Sequence, residues 1–317
     1  MLQGSVGLIG FGAIGTPIAH KLYNKYHDRF ILIASGKRRE KLQNQEITIN
    51  GEKFHPTVVS SKQEVRDSLQ LLIVCVKNYQ LMDALGDIRS VISEQTIILP
   101  LQNGISSYEF FSKEFPDNIV LQGYVQGPNT RKTESDFEYT NPGVMHIGDQ
   151  VRSILDIAAD VYAFLNQAGI EVHLEQDIRL MVWKKWMLNV AGNSVTALTN
   201  ADYKDFKDSI DLQTLCVSAM REFVAVAQAE GIQLTETDIQ DVIDYYVNYK
   251  GSKRTSMLED VSNRRKTEND YLAGKIVELS KKHSLETPII SSLYLLMKIK
   301  EVLYLNEENN DGTGKIL

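Results

Sequence analysis

Four short apolar runs stand out in the first half of the chain: residues 5–10 (SVGLIG), 30–34 (FILIA), 71–76 (LLIVCV) and 96–100 (TIILP). None alternates with polar residues, so each predicts a strand buried on both faces. Stretches of helical period fill the intervals, at residues 13–26 and 80–92. Strands and helices in alternation predict a parallel sheet covered on both sides. Residues 47–59 predict short strands around a turn at Asn50-Gly51, and residues 118–148 a β-rich, looped segment with a turn at Asn141-Pro142-Gly143. A helix follows at 154–167, stopped by Gly169, and then a last strand at 170–174.

After Asp177 the pattern changes. Helical periodicity dominates residues 178–198, 208–230, 236–248, 256–282 and 288–304. We therefore expect two domains, 1–176 and 177–317: an α/β domain with a doubly wound parallel sheet, then an all-helical domain. Residues 306–317 form a polar, Gly-containing tail, whose end is expected to lack fixed structure.

Composition narrows the partners. Of the 317 residues, 43% are hydrophobic and 24% charged, with a net charge of -7. That balance argues against a nucleic-acid partner, which requires basic residues to neutralise phosphates. No apolar window is long enough to span a membrane, and no basic segment with a long apolar stretch opens the chain. The two cysteines, Cys75 and Cys216, lie far apart, which predicts a reduced protein of the cytoplasm. No CxxC and no run of His and Cys points to a metal.

The first apolar run leads into Gly10-Phe11-Gly12-Ala13-Ile14-Gly15. The pattern alone is weak, but a strand before it, a helix after it and a second strand about twenty residues on favour a dinucleotide over a plain strand–helix turn. Gly10 would allow the tight turn, Gly12 the approach of a pyrophosphate, and Gly15 the packing of helix on strand. The second strand ends in IASGKRRE. Ser35 stands where an NAD-binding acid often lies, and Lys37, Arg38 and Arg39 follow. A hydroxyl among cations suits a 2′-phosphate, hence NADPH; the plain alternative is a solvated start to the next helix.

In WKKWMLNVAGNSVTAL, residues 183–198, Lys185, Asn189 and Asn193 recur every four residues on an otherwise apolar helix. Four-residue steps keep them on one side. A buried polar stripe needs partners, which a wet, ligand-facing cleft supplies; a simple solvent face is the other reading. In TSMLEDVSNRRKTENDY, residues 255–271, Ser256 and Glu259 match a capping box, and Glu268 reads on pattern alone as a surface carboxylate three turns into the helix. Two loops, VKNYQ (76–80) and LQNG (101–104), follow strands at the edge where open parallel sheets bind ligands.

The ordered series GFGAIG, VKNYQ, LQNGI, PGVMHIG, WKKWMLNVAGNSVTAL and TSMLEDVSNRRKTEND resembles the ketopantoate reductase family (2-dehydropantoate 2-reductases) over about residues 6–271. The resemblance implies a Rossmann-type domain, a helical domain and an active site in the cleft between them. It implies NADPH-dependent reduction of 2-dehydropantoate to pantoate, in pantothenate and coenzyme A biosynthesis. Lys185 matches the catalytic lysine and Glu268 the glutamate at the catalytic centre. Asn103, Asn189, Asn193 and Ser256 match substrate-binding positions, Asn103 lying also near the nicotinamide. The cofactor set becomes Gly10, Phe11, Gly12, Ala13, Ile14, Gly15, Ser35, Lys37, Arg38, Lys77 and Gln80. No metal is implied. Ser35 departs from the family's frequent Arg, Tyr124 and Val125 from small hydroxyl residues, and Asn269 from an apolar residue. A D-2-hydroxy acid dehydrogenase acting on another branched 2-oxo acid is the rival enzyme, and an NADPH-sensing regulator the rival of another class. Residues 289–303 are apolar enough for core or for a homodimer contact.

Overall fold

The structure, a computed structural model, describes residues 2–133, 135–150 and 155–310. The chain divides into two compact units, Met1–Met181 and Val182–Leu317. The expected boundary at 176/177 precedes the helix Ile178–Leu188, whereas the division at 181/182 falls inside it.

In the first unit the apolar runs become β1 (Ser5–Ile9), β2 (Phe30–Ile33), β6 (Leu69–Val74) and β7 (Ile97–Pro100), joined by β5 (Thr57–Val59). These five make one sheet in the order β5-β2-β1-β6-β7, with every pairing parallel. The helices between them are α1 (Gly15–Tyr26), α2 (Gly36–Asn44), α3 (Leu81–Val91) and α4 (Ser106–Glu114). Side chains along β2 alternate between two cores. Phe30 and Leu32 join Ile18 and Leu22 of α1, while Ile31 and Ile33 join Leu85 and Ile88 of α3. Burial on both faces is why these strands carry no polar alternation. The strand order reverses between β1 and β6, the place where sheets of this kind bind ligands beyond the strands' carboxyl ends.

Two smaller sheets complete the unit. β3 (Ile47–Ile49) and β4 (Glu52–Phe54) form a hairpin through Asn50 and Gly51, both at positive φ, 51° and 80°, as the primed two-residue turn requires. With β9 (Asn129–Lys132) and β10 (Asp136–Asn141) they make a four-stranded sheet. β8 (Gln122–Gln126), β11 (Val144–Gly148) and β12 (Val172–Leu174) make a three-stranded one, and α5 (Leu155–Gln167) packs its apolar side, Ala158, Val161 and Leu165, into the core shared with α1.

α6 (Ile178–Leu188) leads into the second unit, whose elements are helical: a π turn (Asn189–Asn193), α7 (Ser194–Thr199), α8 (Asp205–Asp208), α9 (Ile210–Ala229), α10 (Glu236–Val247), α11 (Ser256–Ser262), α12 (Ala273–Lys282) and α13 (Pro288–Asn310). Its core centres on Trp183, Trp186 and Phe223, whose rings meet edge to face. α13 answers the question of residues 289–303 with two faces. Ile290, Leu293, Met297 and Tyr304 are buried, while Leu295, Leu296, Ile299, Val302 and Leu303 are more than half exposed.

Two expected helices are broken. Residues 178–198 pass through the π turn, and residues 256–282 are two helices separated by a ten-residue link, 263–272. The link begins where Arg264 takes a left-handed φ of 51° and the Arg265 N–H turns back to the Asp260 carbonyl. The helix expected to end at 304 continues to Asn310, so residues 306–310 of the expected tail are helical; the rest of it, 311–317, lies outside the described residues. No helix among the described residues is long and apolar enough to cross a membrane.

Candidate active site

The glycine turn sits at the carboxyl end of the central strand, and its three glycines have separate physical reasons. Gly10 has φ 101°, and a Cβ there would lie 2.3 Å from the Val76 nitrogen, so the turn leaving β1 can lie against the chain leaving its parallel neighbour β6 only with glycine. A Cβ on Gly15 would lie 2.0 Å from the Gly10 carbonyl oxygen, so α1 can close on the strand only without a side chain. Gly12 is different: it is exposed, and a Cβ would meet nothing within 4 Å. No protein atom requires glycine at that position, and its bare backbone faces outward at the start of α1, where free N–H groups favour an anion. A pyrophosphate fits this cradle. Ala13 is exposed beside it, and Ile14 forms the cap of α1. The Phe11 side chain belongs to the core, stacked on Phe54 at 5.3 Å and edge-on to Phe137 at 4.7 Å, so only its backbone is on offer to a ligand. The Ala13 carbonyl accepts the Thr130 hydroxyl of β9 at 2.8 Å, which fastens the turn to the second sheet.

At the end of β2, Ser35 holds the N-cap position of α2 without a side-chain capping bond, and Ser35, Lys37 and Arg38 are exposed. Arg39 is committed elsewhere, donating to Glu64 at 2.6 and 3.1 Å and to Ser60 at 2.6 Å. A residue that the linear pattern missed joins this group. Lys132 on β9 has its ammonium pushed below the ordinary lysine range by burial and by the charges of Lys41 and Arg38. The fold thus sets Lys132 within Coulombic range of Arg38 and Lys41 of α2, a local concentration of positive charge beside the start of that helix.

The two polar loops after β6 and β7 are tied together. Asn78, buried, donates to the Asn103 carbonyl at 3.0 Å, and Gln102 donates to the Val74 and Val76 carbonyls at 3.2 and 3.0 Å. The Gln80 side chain accepts from the Lys77 N–H at 3.1 Å, so Gln80 braces the loop from within. Lys77 and Asn103 are half-buried on these braced loops, beside the switch point of the sheet.

In the second unit, Lys185 projects from α6. Its neighbour Lys184 pairs with Asp238 and Asp241 of α10, at 3.0 and 2.7 Å. Lys185 has no ion-pair partner among the described residues. Burial pulls its ammonium down to about 8, and the charge of Lys253 adds to the effect. Lys253 was not expected from sequence. Burial lowers it too, and its ammonium lies 5.9 Å from the ring centres of Tyr203 and Tyr249.

The π turn places the asparagines. The Tyr246 hydroxyl, fully buried, donates to the Leu188 carbonyl at 3.2 Å, and a Cβ on Gly192 would fall 1.8 Å from that hydroxyl oxygen. Glycine at 192 thus admits a phenol into the helix ladder, and such insertions widen a helix locally, often at functional sites. Asn189 and Asn193 lie in this turn, both 3% exposed. The Asn193 amide donates to the Asn189 side-chain oxygen and to the Ser256 hydroxyl, both at 3.4 Å. The expected cap of α11 shifts by one residue. Thr255, not Ser256, accepts the Leu258 N–H, at 3.3 Å, and bonds Thr196 of α7 at 2.8 Å. Ser256 is therefore the first helical residue, and its exposed hydroxyl remains beside Asn193.

Glu268 lies in the link between α11 and α12, not within a helix, and is 5% exposed rather than at the surface. Its carbonyl accepts the Tyr271 and Leu272 N–H groups at 3.0 Å. Its neighbours fix the link: Thr267 donates to Glu301 from both N–H and hydroxyl, at 3.0 and 2.5 Å, and Asn269 donates to the Tyr294 carbonyl at 3.0 Å. The polar Asn269 thus holds the link to α13.

The chain matches two family models over most of its length: Ketopantoate reductase PanE/ApbA at residues 6–151 and Ketopantoate reductase PanE/ApbA C terminal at residues 177–301. It is 27% identical over 304 residues to a 2-dehydropantoate 2-reductase of Pyrococcus abyssi, covering 93% of this chain and 97% of that one. Among solved structures it is similar to 2-dehydropantoate 2-reductase from Methylococcus capsulatus, with a TM-score of 0.81 at 25% identity, covering 95% and 97% of the two chains. It has the fold of D-mandelate dehydrogenase solved with NADH and anilino(oxo)acetate, with a TM-score of 0.84 at 23% identity, covering 95% and 99%. Matched in both halves by the models of one family, with the doubly wound sheet and the helical unit of its solved members, the chain is an oxidoreductase that belongs to the ketopantoate reductase PanE/ApbA family.

Proposed function

We propose that the protein reduces a 2-oxo acid to its 2-hydroxy acid with NADPH, and that the substrate is ketopantoate, giving pantoate for pantothenate and coenzyme A synthesis. The observation that carries this reading is Lys185, an ammonium pulled down to about 8 that no side-chain carboxylate of the described residues neutralises in an ion pair, within Coulombic range of a second lysine. Two such cations favour an anionic substrate, and the carboxylate of a 2-oxo acid meets that need.

The first unit holds the dinucleotide, with its pyrophosphate at Gly12 and the start of α1 and its 2′-phosphate among Ser35, Lys37, Arg38 and Lys132. NADPH held there would supply the hydride for the keto carbon. The carbonyl oxygen gains negative charge as this happens, and Lys185 stabilises that charge and then donates its proton to the oxygen. Asn103 and Asn189 orient the substrate, while Ser256 and Asn193 hold its carboxylate or hydroxyl. Glu268 orients Lys185. The exposed apolar face of α13 is the homodimer contact in this reading. Lys185→Ala should lower kcat/KM by about 10²- to 10⁴-fold, the scale of a lost general acid, with the circular dichroism spectrum unchanged. A folded Lys185→Ala enzyme of near-normal kcat/KM would sink the assignment.

A second reading keeps the same residues and changes the substrate. The fold is also that of D-mandelate dehydrogenase, solved with NADH and anilino(oxo)acetate. On that reading another branched or aryl 2-oxo acid is reduced.

A further inference from the structure

The three-stranded sheet of the first unit places two histidines and a glutamate together, away from the glycine turn in sequence and outside every role assigned above. In its register Tyr124 of β8 lies opposite His146 of β11, and His146 opposite His173 of β12. Directly opposed residues share a face of a sheet, and so does the residue two positions on. Glu175 occupies that position, just past the end of β12.

The three side chains converge. His146 Nδ1 lies 2.6 Å from Glu175 Oε1, and the His146 ring is edge-on to that of His173 at 5.0 Å. One ligand atom from each of His146, His173 and Glu175 falls within 4.8 Å of the other two. His146 is buried and fixed from behind by Tyr124, whose ring stacks on it at 4.6 Å and within 3° of parallel. His173 is about half exposed, at 55%, and so can swing.

We propose that His146, His173 and Glu175 bind one divalent transition-metal ion, for which zinc(II) is the test ion. Two imidazoles and one carboxylate are a familiar donor set for such ions, leaving a fourth position for water. Bonds of about 2.0–2.2 Å separate tetrahedral donors by roughly 3.4 Å. The His146–Glu175 pair would open slightly and His173 would close, both by side-chain rotation. The bound ion would staple the edge strand β12, only three residues long, to the central strand β11. Spacings of 146, 173 and 175 form no linear metal signature, and only strand register brings them together.

The test is a zinc titration of the full-length protein, stripped with a chelator, against a chromophoric competitor. The result expected is one equivalent bound, with affinity at least about tenfold weaker in His173→Ala and in Glu175→Gln at unchanged circular dichroism. Cobalt(II) should give visible absorption bands in the parent protein that His173→Ala abolishes. No stoichiometric uptake by the parent protein would overturn the proposal. So would uptake that both variants retain, or that is lost instead in His283→Ala, since His283 and Glu230 form another histidine–carboxylate pair, at 2.5 Å.

Discussion

If Lys185 is the proton donor, the rate must follow its charge. Its ammonium is pulled down to about 8 by burial and by Lys253. A cationic acid with a depressed pKa is active below that value and is lost as pH rises through it. The protonated fraction is about 0.9 at pH 7, about 0.5 at pH 8 and about 0.09 at pH 9. The second-order constant kcat/KM reports the free enzyme. It should therefore fall about tenfold between pH 7 and pH 9 in a stopped-flow or steady-state assay of NADPH oxidation. A lysine at its free value of about 10.4 would lose only about 4% over the same interval. The carboxylate of a 2-oxo acid stays ionised throughout, so the substrate adds no inflection. Two internal checks follow. Lys253→Met removes a like charge and should move the inflection upward. The inflection in kcat should also lie above that in kcat/KM, because a bound anion favours the ammonium. A profile flat to pH 9.5, or an inflection that Lys253→Met leaves in place, would refute the reasoning.

The glycine turn and the basic group give two further predictions. Gly10→Ala should destabilise the fold by several kcal/mol, from a strained φ of 101° and a contact 2.3 Å from the Val76 nitrogen, lowering the melting temperature by roughly 5–10 °C. Gly12→Ala meets no protein atom and should melt with the parent protein while weakening the dinucleotide about tenfold or more by fluorescence titration; equal melting losses in the two variants would remove the distinction. Lys37→Glu with Arg38→Glu, and separately Lys132→Gln, should weaken NADPH binding at least about tenfold more than NADH binding, as expected of lost charge-assisted phosphate contacts. Equal effects on the two cofactors would disprove a 2′-phosphate site.

What the sequence revealed and what it hid follow one physical division. β1, β2, β6 and β7 were legible because burial on both faces leaves a local mark, an unbroken apolar run. Gly10 and Gly15 were legible because the clashes that demand glycine arise within one strand–turn–helix unit and its neighbouring strand. The π turn was hidden because its cause is distant: Tyr246, more than fifty residues on, inserts a hydroxyl at Leu188. The break at residues 263–272 had a weak local mark, the poor helix formers Asn263, Thr267, Asn269 and Asp270, masked by the helical periodicity on either side, and it decides that Glu268 sits buried in a link. Thr255 and Ser256 are both good caps, and only the contact of Thr255 with Thr196 shows which one serves. Lys132 and Lys253 carry no linear signal at all; only the fold sets one near Arg38 and the other near Lys185.

On the proposed function, this protein reduces ketopantoate in preference to other 2-oxo acids. The most direct test is the rate of NADPH oxidation by the purified protein with ketopantoate, set beside other branched and aryl 2-oxo acids. kcat/KM should be highest for ketopantoate, by at least about tenfold, or about 1.4 kcal/mol of transition-state preference. A larger kcat/KM for an aryl 2-oxo acid would contradict the substrate, and NADPH binding with no oxidation by any 2-oxo acid would contradict the catalytic site itself.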